Sequence, residues 1–155
     1  MSAEHDQEQK PHVIAVSISS GGVPKIPQNC VELTTDGLVG DGRDHDKHIK
    51  PSRAVSLFDE ELMHKLCDEG YDLTPGRIGE NLTLRNVNVQ GMEPGTLLRI
   101  GEVVLRLEEP RRPCFVLDAL DEKLKDDIVG RCGYMASVVQ EGELRPGLEV
   151  ETVEA

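Results

Sequence analysis

Cys114 is the cysteine whose neighbours set it apart from an ordinary packing thiol. In the stretch EPRRPCF, Arg111 and Arg112 precede it, and Pro113 restricts the backbone that leads into it. Positive charge favours thiolate over thiol, and thiolate is the form that binds metals or attacks sulfur. Glu108 and Glu109 pull the other way. Local chemistry therefore leaves two readings open, a working thiolate and a buried structural cysteine. The other three cysteines read as packing: Cys67 on a helix beside Leu66, Cys30 at the start of a strand in the core or at an edge, and Cys132 between glycines in GRCGY. No C-x-x-C pair is formed, which argues against a zinc ribbon, and without a secretion signal the thiols are expected to be reduced.

A second candidate lies in TPGRIGENLT, where glycines and a proline surround Arg77, Glu80 and Asn81. Glycines let a backbone approach a ligand closely, and an Asn amide reads both donors and acceptors. The same spacing also suits a tight turn with unusual backbone angles. It is not a phosphate-binding P-loop, because G-x-x-x-x-G-K-[ST] is absent. GGVPK offers amides and Lys25 to an anion, or is simply a turn. His45 and His48 in DHDKH are of ligand type, but no third and fourth ligand stand nearby, so a solvated loop is the favoured reading. His48 still suits a hydrogen-bond donor or proton carrier in a pocket. His64, expected on the outer face of a helix, has no functional reading.

The net charge of −12 argues against broad binding to nucleic acid or to an acidic membrane surface. It leaves room for one small anion where positive charge is local. Lys25, Arg43, Lys47, Lys50, Arg53, Arg77, Arg111, Arg112 and Arg131 fall in or beside the loops singled out. The acids gather in the N-terminal tail, the helices and the strand ends, although Asp41, Asp44 and Asp46 enter the first loop. An acidic protein with basic loops suits a soluble binder of a small phosphate ester.

The elements that must position these residues are mostly strands. At 155 residues the chain suits one domain, and with 3% aromatic residues its core is aliphatic. Residues 1–10 are polar and predict a disordered tail ahead of a domain over 11–155. HVIAVSIS, CVELTT, AVSLF and NLTLRNVNV predict strands, the last with a bend or bulge. Cys30, Glu32 and Thr34 share one face. GTLLRIGEVVLRLEEP predicts a hairpin around Gly101, and the C-terminal stretch predicts a strand, a tight turn near Glu141–Gly142 and a last strand. Between Thr34 and Ala54 runs a long polar working loop. DEELMHKLCDEG predicts a helix with Asp59 as cap, Leu62 and Leu66 on one face and Gly70 at its end. Leu117, Leu120, Leu124 and Ile128 suit a second amphipathic helix stopping near Gly130. Short strands with two helices favour a mainly β, barrel-like architecture. No apolar run reaches the ~18 residues of a membrane span, and a cytoplasmic location is expected.

Taken in order, SISSGGVPKIP, GLVGD, HIKPSRAVSLF, PGRIGENLT, GTLLRIGEVVLRLEEPRRPC and GRCGYMASVVQEGELRPGLEV resemble the MOSC domain, named after the C-terminal part of eukaryotic molybdenum cofactor sulfurase. The resemblance spans about residues 12–152. It implies a β-barrel-like fold that holds the molybdenum cofactor, molybdopterin, with Cys114 binding the metal or carrying sulfur. It further implies that Lys25, His48, Arg53, Arg77, Arg111, Arg112 and Arg131 hold the cofactor's phosphate while Asn81 reads the pterin. One departure stands out: many relatives have His-Gly-Gly where this sequence has His48, Ile49 and Lys50.

Three functions follow from the resemblance. One is a molybdenum-dependent reductase of N-hydroxylated compounds, fed by an electron-transfer protein. Another is a carrier or sulfuration accessory that hands the cofactor to a recipient molybdoenzyme. The chain carries no pyridoxal-phosphate domain, so sulfur would come from a separate cysteine desulfurase. The third is a barrel that has lost the cofactor.

Overall fold

The computed structural model describes residues 10–19, 24–41, 54–113 and 121–153. Cys114, His45, His48 and Arg53 lie outside them, as do residues 1–9 of the expected tail and Leu117 and Leu120 of the expected second helix.

Alternating apolar residues build most of the strands, and the protein is mainly β. In chain order they are β1 (His12–Ile18), β2 (Ile26–Gln28), β3 (Val31–Thr34), β4 (Gly37–Leu38) and β5 (Val55–Asp59). After helix α1 (Glu60–Asp68) come β6 (Leu82–Arg85), a 3-10 turn at Val89–Gly91, β7 (Leu97–Ile100) and β8 (Val103–Pro110). Helix α2 (Leu124–Asp127), β9 (Tyr134–Gln140), β10 (Gly142–Leu144) and β11 (Val150–Val153) complete the chain.

Eight strands form one sheet in the order β11-β7-β8-β9-β5-β6-β1-β2, and β10-β3-β4 form a second. The β5–β6 pair is parallel, bridged by α1 and the loop after it; the other strand pairs are antiparallel. The ladder does not close continuously, yet its two ends are stitched together. Val13 N donates to Leu148 O at 2.9 Å, Gly147 N to Val13 O at 2.8 Å and Val150 N to Pro11 O at 3.0 Å. β2 occupies the other half of the same β1 edge, pairing Val16–Ile18. The register of β1 against β6 shifts between Val13 and Ala15, and the irregular step expected after Leu84 is where β6 ends at Arg85, with Asn86 and Asn88 at φ +60° and +59°.

β5 sits at the centre, between β9 and β6, with all five residues buried. Strand period sends Val55 and Leu57 into the larger aliphatic core and Phe58 into a smaller cluster on the opposite face. That cluster is Phe58, Met63, Leu66, Leu73, Ile78, Leu124, Ile128 and Cys132, and it packs both helices on the sheet. Leu66 is buried as expected; its most buried companion is Met63, with Leu62 only partly covered. Leu124 and Ile128 are buried as the helical spacing requires, and His64 is exposed.

Two local expectations are corrected. Gln140 and Gly142 do not flank a hairpin turn: at Glu141 the chain leaves β9 and enters β10 in the other sheet, where Leu144 pairs with Val31. Part of the long loop is also ordered as β4, because Gly37 and Leu38 pair back onto Thr34 and Leu33.

Candidate functional site

The hexapeptide Gly76–Asn81 is held by side chains and backbone from much of the chain. Gly76 adopts φ +86°, and a Cβ there would stand 2.2 Å from Lys25 O. Only glycine allows this approach, which carries the 2.7 Å bond from Lys25 N to Gly76 O. At the other end Asn81 is 3% exposed. Its Oδ1 accepts from Ser56 N at 3.0 Å and Ser56 Oγ at 3.3 Å, while Nδ2 donates to Ser17 O at 3.1 Å and Asp41 Oδ2 at 3.0 Å. Every donor and acceptor of that amide is therefore used within the protein.

Asp41 extends the brace. Its Oδ1 accepts from Ser19 N at 3.1 Å, and its Oδ2 also accepts from Lys25 Nζ at 2.8 Å. The pair is well covered, with side-chain exposures of 14% for Lys25 and 2% for Asp41. Lys25 thus stands in the expected region with its charge matched by Asp41.

Arg111 approaches the same loop from the end of β8. Its Nη2 donates to Ile78 O at 2.7 Å, and its backbone N to Gly133 O at 2.8 Å. Arg111 Nη1, Arg77 Nε, Ser17 Oγ and Glu80 Oε1 are buried with no hydrogen-bond partner among the described residues. All four belong to this loop or to residues that touch it, since Ser17 Oγ lies 3.0 Å from where a Gly76 Cβ would be. Glu80 is fully buried, with its Oε2 accepting from Thr83 Oγ1 at 2.9 Å. Burial pushes its carboxyl above the usual range, against the pull of the loop backbone, the Thr83 hydroxyl and the Arg111 charge. Unmatched buried donors on cations suit an anion.

A family model for the MOSC domain matches the chain over residues 44–151, a stretch that holds the Gly76–Asn81 loop, Ser56 and Arg111, while Ser17, Lys25 and Asp41 precede it. The chain belongs to the MOSC domain family. It is 28% identical over 141 residues to the uncharacterized protein YflK of Bacillus subtilis, covering 86% of this chain and 63% of that one. It is 26% identical over 130 residues to protein YiiM of Escherichia coli, covering 78% and 58%. The MOSC chain thus spans less than two thirds of either relative. Its fold matches the crystal structure of YiiM from Escherichia coli with a TM-score of 0.73 at 23% identity, over 93% of this chain and 70% of that one. A protein of Gibberella moniliformis named as a reductase is 29% identical over 135 residues, covering 80% of this chain and 24% of that one.

Within this MOSC domain the expected site residues divide. Lys25, Arg77, Asn81 and Arg111 come together at the Gly76–Asn81 loop. Arg112 is exposed beside Arg111. Arg131 faces elsewhere: its guanidinium takes the Glu69 carboxylate with bonds of 2.5 and 3.0 Å and donates to Asp127 O. Among the described residues no group of three or more His, Cys, Asp and Glu side chains could hold a metal ion. Cys30 is exposed, Cys67 partly covered and Cys132 buried. Ser17, Asp41 and Ser56 escape a sequence reading. Ser17 sits inside a plain strand pattern, and Asp41 reads as one more acid diluting a basic loop. Among the described residues, no helix is long and apolar enough to cross a membrane.

Proposed function

We propose that this MOSC domain holds the molybdenum cofactor against the Gly76–Asn81 loop, with its anionic phosphate on Arg77 and Arg111 and its metal or sulfur on Cys114. The observation that carries the reading is the pair of buried guanidinium nitrogens, Arg77 Nε and Arg111 Nη1, that lack a partner among the described residues. Leaving a buried donor unmatched costs about 1–3 kcal/mol, and more for a charged group, so each gains from a ligand oxygen. Ser17 Oγ adds a hydroxyl that donates or accepts beside them. The donor set therefore fits a phosphate ester.

Lys25 and Asn81 act in this scheme as braces: they fix the loop through Asp41 and Ser56, with Asn81 already saturated. His48, Arg53 and Arg112 supply further contacts to the anion, and Arg131 fastens α2. Bound molybdenum supplies two-electron redox chemistry or a site that accepts sulfur. The chain's own residues bind, orient and shield. A thiolate at Cys114 suits either outcome, being a soft ligand and a sulfur nucleophile. A reductase of N-hydroxylated compounds working in the cytoplasm with an electron-transfer protein, or a sulfur-handling module fed by a desulfurase, would both use this site.

The test is protein purified from molybdate-replete cells, assayed for molybdenum by elemental analysis and for pterin by fluorescence. The wild type is expected to carry both. Arg77→Gln and Arg111→Gln should each lower pterin and molybdenum together, whereas Cys114→Ala should lower molybdenum most. Equal molybdenum in the wild type and Cys114→Ala would remove Cys114 as the anchor, and pterin unchanged in both arginine variants would refute the phosphate site.

A further inference from the structure

We infer that Gln90, more than twenty residues before the Arg111–Arg112–Pro113 segment in sequence, is a positioning residue for the Arg111 guanidinium. The inference rests on the anion-binding reading of Arg111 given above.

Asp59 closes β5 and occupies the cap position of α1, but its side chain makes no bond to that helix. It turns instead to the 3-10 turn, where Oδ1 accepts from Val89 N at 2.9 Å and Oδ2 from Gln90 N at 3.0 Å. With Asp59 1% exposed, this fixes the Gln90 backbone against the central strand. The Gln90 side chain then reaches Gly133, accepting at Oε1 from Gly133 N at 2.8 Å.

Gly133 transmits this to the site. Its φ is +88°, and a Cβ would stand 1.9 Å from Leu57 O, so it is wedged against β5 in a way no other residue permits. Its carbonyl accepts from Arg111 N, the bond just beyond the last β8–β9 pair, Pro110 with Tyr134. The two peptide groups that flank Gly133 Cα are thus each held: Gln90 sets the N–H of one, and the carbonyl of the other sets the backbone from which Arg111 reaches Ile78 O. Without Gln90 Oε1 the Gly133 N–H loses its partner, and the start of the RRPC segment loses its reference to β5.

The test titrates inorganic phosphate by calorimetry into the full chain at 0.15 M salt, where charges farther apart than about 8 Å are screened. Arg111→Gln tests the underlying reading: it should weaken phosphate binding about tenfold, and affinity equal to the wild type would overturn the anion site itself. Gln90→Leu, which keeps bulk but removes the acceptor, should weaken binding about fivefold to tenfold, the worth of roughly one hydrogen bond. Gln90→Glu keeps an acceptor for Gly133 N and should restore affinity to within about threefold of the wild type. If Gln90→Leu does not fold, Gln90→Ala takes its place. Weakening by Arg111→Gln with wild-type affinity in folded Gln90→Leu or Gln90→Ala overturns the positioning role alone. So does equal weakening in Gln90→Glu, since the loss would then not follow the acceptor.

Discussion

Asn81 Nδ2 donates to Asp41 Oδ2 at 3.0 Å, joining positions 40 residues apart in sequence. Through this bond the GENLT segment, the GLVGD segment and β1 share one amide. Replacing Asn81 by Ala leaves Ser56 N and Ser17 O without their side-chain partner, at about 1–3 kcal/mol for each buried group orphaned. Asn81→Asp should cost more, because it sets a second carboxylate against Asp41 and a lone pair against Ser17 O. Urea unfolding of the three proteins orders them; an Asn81→Asp midpoint equal to the wild type would remove the brace.

Lys25 and Asp41 form a covered pair at 2.8 Å. Lys25→Met leaves Asp41 with Ser19 N and Asn81 Nδ2 but no cation, a loss of about 3–5 kcal/mol for a buried charge stripped of its partner. Adding Asp41→Asn to Lys25→Met removes the stranded charge and should return part of that stability, since the new amide still meets one of the Ser19 N and Asn81 Nδ2 donors with its own NH2. In a double-mutant cycle measured by denaturant unfolding the double variant should lose less than the sum of the two single losses, and simple additivity would contradict it.

Glycine chemistry in this loop is separable from ordinary turn strain. Gly70 has φ +108° with nothing within 4 Å of an added Cβ, so Gly70→Ala should cost only the about 1–3 kcal/mol of an unfavourable backbone well. Gly76→Ala adds a 2.2 Å clash with Lys25 O and should cost clearly more. Comparable thermal midpoints for the two variants would mean the Lys25–Gly76 approach is softer than described.

Strands β1, β3 and β5, the first helix and the β7–β8 hairpin were legible because period and turn chemistry act within a few residues, whereas β2 and β4 lie in segments that read as turn and loop. Gly101 with φ +61° sits in a two-residue connection between paired Ile100 and Val103, as its flanking alternation implies. The step from β9 into β10 was not legible, since pairing of Leu144 with Val31 is decided across the molecule. The site shows the same divide. TPGRIGENLT declared itself through its glycines and the resemblance, but which of its polar atoms are spent internally depends on Ser17, Asp41 and Ser56, three residues ordinary in their own contexts. Asp59 was readable as a cap, and the structure gives its carboxylate to the Val89–Gly91 turn instead.

Tyr71 donates its phenol to Asp127, and the carboxylate holds its pKa up to about 12, with burial adding in the same direction. Asp127→Asn should bring that titration back toward 10.0, the ordinary value. The chain has two tyrosines, and Tyr134 is raised chiefly by its own burial, so it should not move. Absorbance titration of the phenolates separates the two; an unmoved Tyr71 in Asp127→Asn would show that the link between the α1 loop and α2 does not form in solution.

Glu80 makes a pH prediction of unusual sign. Its folded-state pKa lies above the ordinary 4.5, mainly through burial, so the unfolded chain releases this proton first as pH rises. Its contribution is fullest below 4.5 and is lost as pH climbs to the raised folded value. Asp59, raised from 3.8 by burial, acts in the same sense. Glu69 acts oppositely: the Arg131 bond lowers its pKa, so its stabilisation is present above 4.5 and disappears as pH falls through the lowered folded value. Glu80→Gln keeps an acceptor for Thr83 Oγ1 and removes the titration. Unfolding free energy measured against pH should therefore decline less above 4.5 in Glu80→Gln than in the wild type. Parallel profiles would mean that Glu80 ionises freely beside Arg111, and that the guanidinium charge is already neutralised within the fold.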